Sequence, residues 1–139
     1  MNAATVAEDK PSLLKPIASF AAPLGRAMIA SLFVVSAAGK VAAFEGSKGY
    51  MEAMGVPGAL LPAVIAFELL VPLALVVGFR ARLAAFLLAG FSIVTAFVFH
   101  GDVADQIQQI MFLKNIAIAG GLLLVVANGP GAFSLDARR

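Results

Sequence analysis

The sequence contains no cysteine and no tryptophan, and its one histidine is His100. The lack of cysteine excludes disulfides, a catalytic thiol and cysteine-ligated zinc or iron–sulfur centres. A single histidine cannot supply both axial ligands of a haem held by two histidines. Charge is scarce as well, at 13% of residues with a formal net charge of +2. The basic residues are scattered along the chain, so no nucleic acid partner is predicted.

The chain has a large excess of apolar residues. Hydrophobic residues make up 61% of the 139, and the mean hydropathy is +0.97. A soluble domain has about 45–50% apolar residues. A soluble core of this length could not bury so much apolar surface, so we predict that most of the chain is solvated by the lipid bilayer.

Four long apolar runs organise the sequence after an N-terminal arm. Each run is close to the ~20 residues that cross a bilayer as a helix. The runs are continuous and do not alternate with a period of two, which excludes a transmembrane barrel. Short links make neighbouring spans antiparallel. The predicted fold class is therefore all-α, a polytopic membrane protein with an antiparallel four-helix transmembrane bundle. This bundle forms one domain, residues 23–139. The predicted spans are about 24–44, 59–79, 83–99 and 110–127.

Residues 1–22 form a more polar arm that we expect in the cytoplasm. Pro11, Pro16 and Pro23 are expected to interrupt any long helix, so that the first span begins after the arm. Two interpretations of the arm stand, a disordered tail and a segment on the membrane surface. In the second, the membrane-facing residues are Leu13, Leu14, Ile17 and Phe20.

Basic residues predict the orientation. Seven of the ten lie on the side that holds both termini, which predicts a multi-pass protein with both termini in the cytoplasm. We interpret Arg26, Arg80 and Arg82 as cytoplasmic anchors of this kind. For Arg26, pairing with Asp136 or contact with Asn128 is the alternative.

Glu68 lies near the middle of the second predicted span, about 15 Å deep at the helical rise. An acid at the bilayer centre costs about 2.5–3.5 kcal/mol on insertion scales, so it should face the bundle and be paired or protonated. It is either part of a ligand or proton site or a structural ion pair. Lys40 either extends outward to water or pairs with Glu68, and we expect Glu68 to contact Lys40 or Lys114.

Several polar residues are predicted to converge at the outer half of the bundle, which is what a ligand site requires. One histidine and one carboxylate are too few for a metal site, so no metal is predicted, and no catalytic residue is assigned. The predicted ligand-binding residues are Lys40, Glu68, His100, Lys114 and Asn115. The link at 46–57 is predicted to be either a short amphipathic lid over this region, with Tyr50, Met51 and Met54 at helical spacing, or a plain surface loop.

From about Leu24 to Asp136 the chain resembles the DoxX family of small bacterial inner-membrane proteins. The order and spacing of several short motifs carry the resemblance. In the first half these are Leu24-Gly25-Arg26, Gly39-Lys40, Phe44-Glu45-Gly46, Tyr50-Met51, Gly55-Val56-Pro57 and Glu68. In the second half they are Gly78-Phe79-Arg80, Arg82, Lys114-Asn115, Gly120-Gly121, Gly129-Pro130-Gly131 and Ser134-Leu135-Asp136.

The resemblance implies a four-helix protein of the bacterial inner membrane and an association with membrane redox systems. No haem, flavin or metal motif is present to carry electrons, so the expected role is an accessory or quinone- or small-ligand-binding subunit. The alternatives are a small transporter or proton pathway centred on Glu68 and a non-enzymatic assembly scaffold. Expected partners are the lipid bilayer, membrane redox proteins and further copies of the chain.

Overall fold

The structure is a computed structural model that describes residues 14–139. Over that range the chain is helical and contains no strand. The α-helices are α1 (Leu14–Ala42), α2 (Phe44–Ala53), α3 (Leu61–Val77), α4 (Ala81–Phe99) and α5 (Gln106–Asn128), with 3₁₀ turns at Gly58–Leu60 and Asp136–Arg138. Four helices are long and apolar enough to cross a membrane: α1, α3 with its preceding turn, α4 and α5. The predicted all-α polytopic bundle is confirmed.

The first helix differs from the sequence-based expectation. Helix α1 is continuous from Leu14 and runs through Pro16 and Pro23, so the expectation that these two prolines interrupt it is wrong. Pro16 lies in the first turn of α1 that the structure describes. Pro23 removes one hydrogen bond, a loss that membrane helices tolerate. Pro11 and Leu13 lie outside the described residues.

Helix ends at the links follow from local sequence. Helix α3 ends at Gly78, whose φ of 73° is left-handed and suits glycine, and the N–H of Phe79 donates to the carbonyl of Ala74 at 2.9 Å. Helix α5 begins after Asp105, whose carboxylate accepts from the N–H groups of Ile107 and Gln108. These ends set the antiparallel order of the bundle.

The bundle consists of two tightly packed helix pairs, α1 with α3 and α4 with α5, joined mainly along α3 and α4. The buried core lies toward the end of the bundle that holds the link between α3 and α4. Its fully buried leucines are Leu75, Leu88 and Leu122. Ala85 and Ala89 are buried there, and small side chains let the helices approach closely. We name this end, with residues 129–139, the tail end; the opposite end, with α2 and His100, is the cavity end.

Helix α2 covers part of the cavity end, so the interpretation of 46–57 as an ordered helical segment is confirmed. Met51 is buried, and the ring of Tyr50 stacks on Phe99 with centroids 5.5 Å apart. Gly58 is packed so tightly beneath α2 that a Cβ atom there would collide with the side chains of Lys48 and Glu52. These contacts hold α2 against the bundle.

Candidate ligand-binding site

A cavity of about 640 Å³ lies at the cavity end, between α1, α3, α4 and α5 and beneath α2. Its volume is within the range of small-molecule sites. The structure brings all five predicted site residues together on its wall: Lys40, Glu68, His100, Lys114 and Asn115. Their convergence is therefore observed, and their role in binding a ligand stays a prediction.

Glu68 and Lys40 form an ion pair on this wall. The Lys40 ammonium donates to Oε2 of Glu68 at 2.9 Å and to Oε1 at 3.2 Å. Ser36 joins them, because its Oγ accepts from Lys40 at 2.6 Å and donates to Oε1 of Glu68 at 3.2 Å. The expected contact between Glu68 and a lysine is confirmed, with Lys40 as the partner.

The pair is buried unevenly. The Glu68 side chain is 4% exposed and that of Lys40 is 26% exposed. Within residues 14–139 this is the one ion pair, so the Lys114 ammonium on the same wall has no carboxylate within 4 Å. The cavity wall therefore carries two ammonium groups and one carboxylate.

The other two predicted residues hold their positions through partners that sequence reasoning missed. The Asn115 amide donates to Thr95 Oγ1 at 3.2 Å. His100 Nδ1 lies 2.8 Å from Gln108 Oε1, which fixes the half-buried imidazole at the end of α4. Ser36 was missed too, although it precedes Lys40 by four residues and so shares its helix face. Thr95 carries no comparable signal in the sequence.

Apolar side chains make up most of the rest of the cavity wall. Phe91 packs against Phe33 at 6.3 Å and against Phe67 at 5.0 Å between ring centroids, which joins α1, α3 and α4 on the side toward the core. On the opposite side the wall includes Val35 and Val94, both largely exposed on the bundle surface. Because these helices are long and apolar enough to cross a membrane, that surface would face lipid.

Comparison with known proteins agrees with this architecture. A family model described as DoxX matches residues 21–101. The chain belongs to the DoxX family. It is 44% identical over 113 residues to inner membrane protein YqjF of Escherichia coli (strain K12), an alignment that covers 81% of this chain and 87% of that protein. It is 36% identical over 123 residues to inner membrane protein YphA of the same organism, covering 83% of this chain and 87% of that protein. No solved structure matches.

The DoxX match includes only part of the cavity. Lys40, Glu68 and His100 lie within residues 21–101, whereas Lys114 and Asn115 lie beyond them on α5. The ion pair therefore belongs to the matched segment. The second ammonium is contributed by a helix outside it.

At the tail end of this DoxX-family chain, Arg26 has a different role from the surface anchor expected. Its side chain is 1% exposed, because α3 and the tail enclose it. Its guanidinium donates to the carbonyls of Leu75, Val76 and Phe133, the first two in the last turn of α3. The guanidinium thereby supplies donors to carbonyls at a helix end, where the last carbonyls have no full set of partners within the helix. Arg26 donates to neither Asp136 nor Asn128, although its charge acts electrostatically on the Asp136 carboxylate.

Arg82 and Asp136 complete the tail end. Arg82 donates to the carbonyls of Val126 and Ala127 at the end of α5. Asp136 accepts from the backbone N–H groups of Arg80 and Ala81, both at 2.8 Å, and so caps the start of α4 from the tail. The Ala81 hydrogen bond, with that of Arg80, holds the pKa of the half-buried Asp136 carboxyl below its usual value. The tail end is thus sealed by helix-capping contacts.

Proposed function

We propose that this DoxX-family protein is an integral protein of the bacterial inner membrane that binds a membrane-soluble small molecule of the quinone class. It would serve as an accessory or binding subunit of a membrane redox system. The inner-membrane location is supported by the two relatives, which are both named as inner membrane proteins, and by the four apolar helices.

The cavity is the observation that carries the proposal. A quinone needs hydrogen-bond donors for its carbonyl oxygens and apolar walls for its ring and chain. Lys114 and Asn115 supply N–H groups, and Phe91 and Val98 supply apolar surface on the same wall. The exposed residues on the lipid side allow a molecule dissolved in the bilayer to enter without crossing water.

The packing favours a one-sided binding site over a pathway across the membrane. Leu75, Leu88 and Leu122 are fully buried between the cavity and the tail end. Beyond them Arg26 closes the end of the bundle. A proton or solute pathway would need polar groups through this half, and the core there is apolar.

Cavity blocking tests the binding proposal. A Cβ atom at Gly39, on the cavity wall, meets nothing within 4 Å, so Gly39→Phe should fold and fill the cavity with its ring. Gly25→Phe is the matched control, since Gly25 lies on the same helix, away from the cavity and equally uncrowded. Quinone should be extracted from the wild type and from Gly25→Phe after gentle purification, and be lost from Gly39→Phe. Equal quinone content in all three, or none in the wild type, would contradict the proposal.

The proposal also includes an orientation. Both termini are expected in the cytoplasm, with the cavity end toward the periplasm, because most basic residues lie at the tail end. A reporter active only in the periplasm should be silent after Arg139 and active when inserted after Gly101. Activity after Arg139 would reverse the orientation.

A further inference from the structure

The charges on the cavity wall do not balance. Lys40 and Glu68 neutralise each other at 2.9 Å, whereas the Lys114 ammonium has no carboxylate within 4 Å in the part of the chain that the structure describes. His100 is already hydrogen-bonded to Gln108. Among the described residues that line the cavity, which also include Tyr50, Glu68 alone carries a carboxylate. The site therefore presents a net positive charge to whatever enters it.

An ammonium beside apolar walls interacts more strongly with an anion than with a neutral acceptor. Charge-assisted hydrogen bonds are roughly twice as strong as neutral ones. The low dielectric of the bilayer interior strengthens the attraction between opposite charges further. Asn115 follows Lys114 in the chain and lines the same wall, so its amide can contact the same polar group. The rest of the ligand would lie against Phe33 and Phe91.

We propose that the cavity selects amphiphilic ligands whose polar end is an anion, and that Lys114 is the residue that determines this selectivity. The inference rests on the proposed function, because it concerns the ligand of the same cavity. It goes further by stating the charge of that ligand. A ligand of this class is an apolar molecule with an ionised acidic hydroxyl or a carboxylate.

Two pairs of probes separate charge from shape. The first pair is a 3-alkyl-2-hydroxy-1,4-naphthoquinone, which is an anion at pH 7, and its neutral 2-methoxy counterpart. The second pair is a long-chain fatty acid and its methyl ester. Binding of each probe to the full chain in detergent at pH 7 gives the preference for the anion. We expect the wild type to bind the anion of at least one pair about tenfold more tightly than its neutral counterpart.

Substitutions at Lys114 test the assignment. Lys114→Gln should reduce the preference to within about twofold, because the charge is lost. Lys114→Arg should retain the preference, because the charge is kept. Lys48→Gln is the matched control, since Lys48 lies on α2 at the same end but is not part of the cavity wall. It should bind all probes as the wild type does. Because Lys114 is exposed and has no acid within 4 Å among residues 14–139, its variants should fold, which gel filtration and circular dichroism would check.

The possible results distinguish this inference from the proposed function. If the neutral quinone binds as tightly as the anionic one, or if Lys114→Gln keeps the preference, the selectivity proposal is overturned while quinone binding stands. If only the fatty acid binds, the anion selectivity holds and the quinone assignment is wrong. If no probe of either pair binds, both proposals are overturned.

Discussion

The ion pair at the cavity provides the sharpest test of the structure. Glu68→Gln keeps the shape of the side chain and one carbonyl acceptor but removes its charge. Lys40 then loses the carboxylate that accepts from it at 2.9 and 3.2 Å, and Ser36 loses its charged acceptor. The variant should therefore be less stable because an ammonium is left without a counter-charge in a membrane protein interior.

The magnitude follows from the uneven burial of the pair. Breaking a buried ion pair by removing one partner costs about 3–5 kcal/mol, whereas an exposed pair contributes about 0–1 kcal/mol. Glu68 is 4% exposed and Lys40 is 26% exposed, so Lys40 can recover part of its hydration. We expect a loss of about 2–4 kcal/mol in the free energy of unfolding, between the two limits.

Equilibrium unfolding in mixed micelles would measure this loss. In a double-mutant cycle with Lys40→Met, the combined variant should be more stable than the sum of the single effects predicts, by about 1–3 kcal/mol. Lys114→Met is the matched control, because Lys114 has no acid within 4 Å among the described residues, and its stability should lie within about 0.5 kcal/mol of the wild type. A Glu68→Gln protein as stable as the wild type, or additive single effects, would refute the reasoning.

Three further predictions concern the tail end. Asp136→Asn should lower the melting temperature at pH 7. Because the carboxyl pKa is lower in the folded state, the extra stability of the wild type should be present above about pH 4 and should decline as the pH falls further. A difference in melting temperature that does not change with pH would contradict the role of the charge. Gly78→Ala should cost at least about 1–2 kcal/mol in chemical unfolding, because φ is 73° and the new Cβ would collide with Ser134. Gly90→Ala is its control, since a Cβ there meets nothing within 4 Å, and it should be neutral or stabilising. Arg26→Lys should cost about 1–3 kcal/mol in the same assay, because one ammonium cannot replace the guanidinium that serves three carbonyls, and an unchanged stability would show that those contacts are dispensable.

Local sequence was enough to predict four long apolar helices, the short links between them and the convergence of polar residues at one end. Apolar runs of bilayer length have to be helical because lipid offers no hydrogen-bond partners to the backbone. The depth of Glu68 and Lys40 then follows from the rise per residue. The helical spacing of Tyr50 and Met51 predicted a short helix as one of two interpretations, the other being a surface loop. That spacing could be found in the sequence because amphipathic periodicity is also a local property.

Only the tertiary structure decided which polar groups meet. The transmembrane helices are apolar almost all round, so their sequences do not fix how each helix is rotated about its axis. The choice of Lys40 over Lys114 as the partner of Glu68, and the contact between Thr95 and Asn115, depend on that rotation. The same holds for Arg26, which the sequence places where a surface anchor is expected.

The tail end shows why the prediction for Arg26 failed. Its position in the sequence indicates the membrane interface, but not that the last carbonyls of α3 and residue Phe133 of the tail lie around it. Likewise, a proline such as Pro23 indicates a helix break only where packing with neighbouring helices does not support the helix. Helix α1 continues through Pro23. Hydropathy and residue spacing thus determined the fold class of this protein, because they act within one helix. The packing between helices decided the partners of its charged groups and closed the tail end around Arg26, because those contacts join residues far apart in the chain.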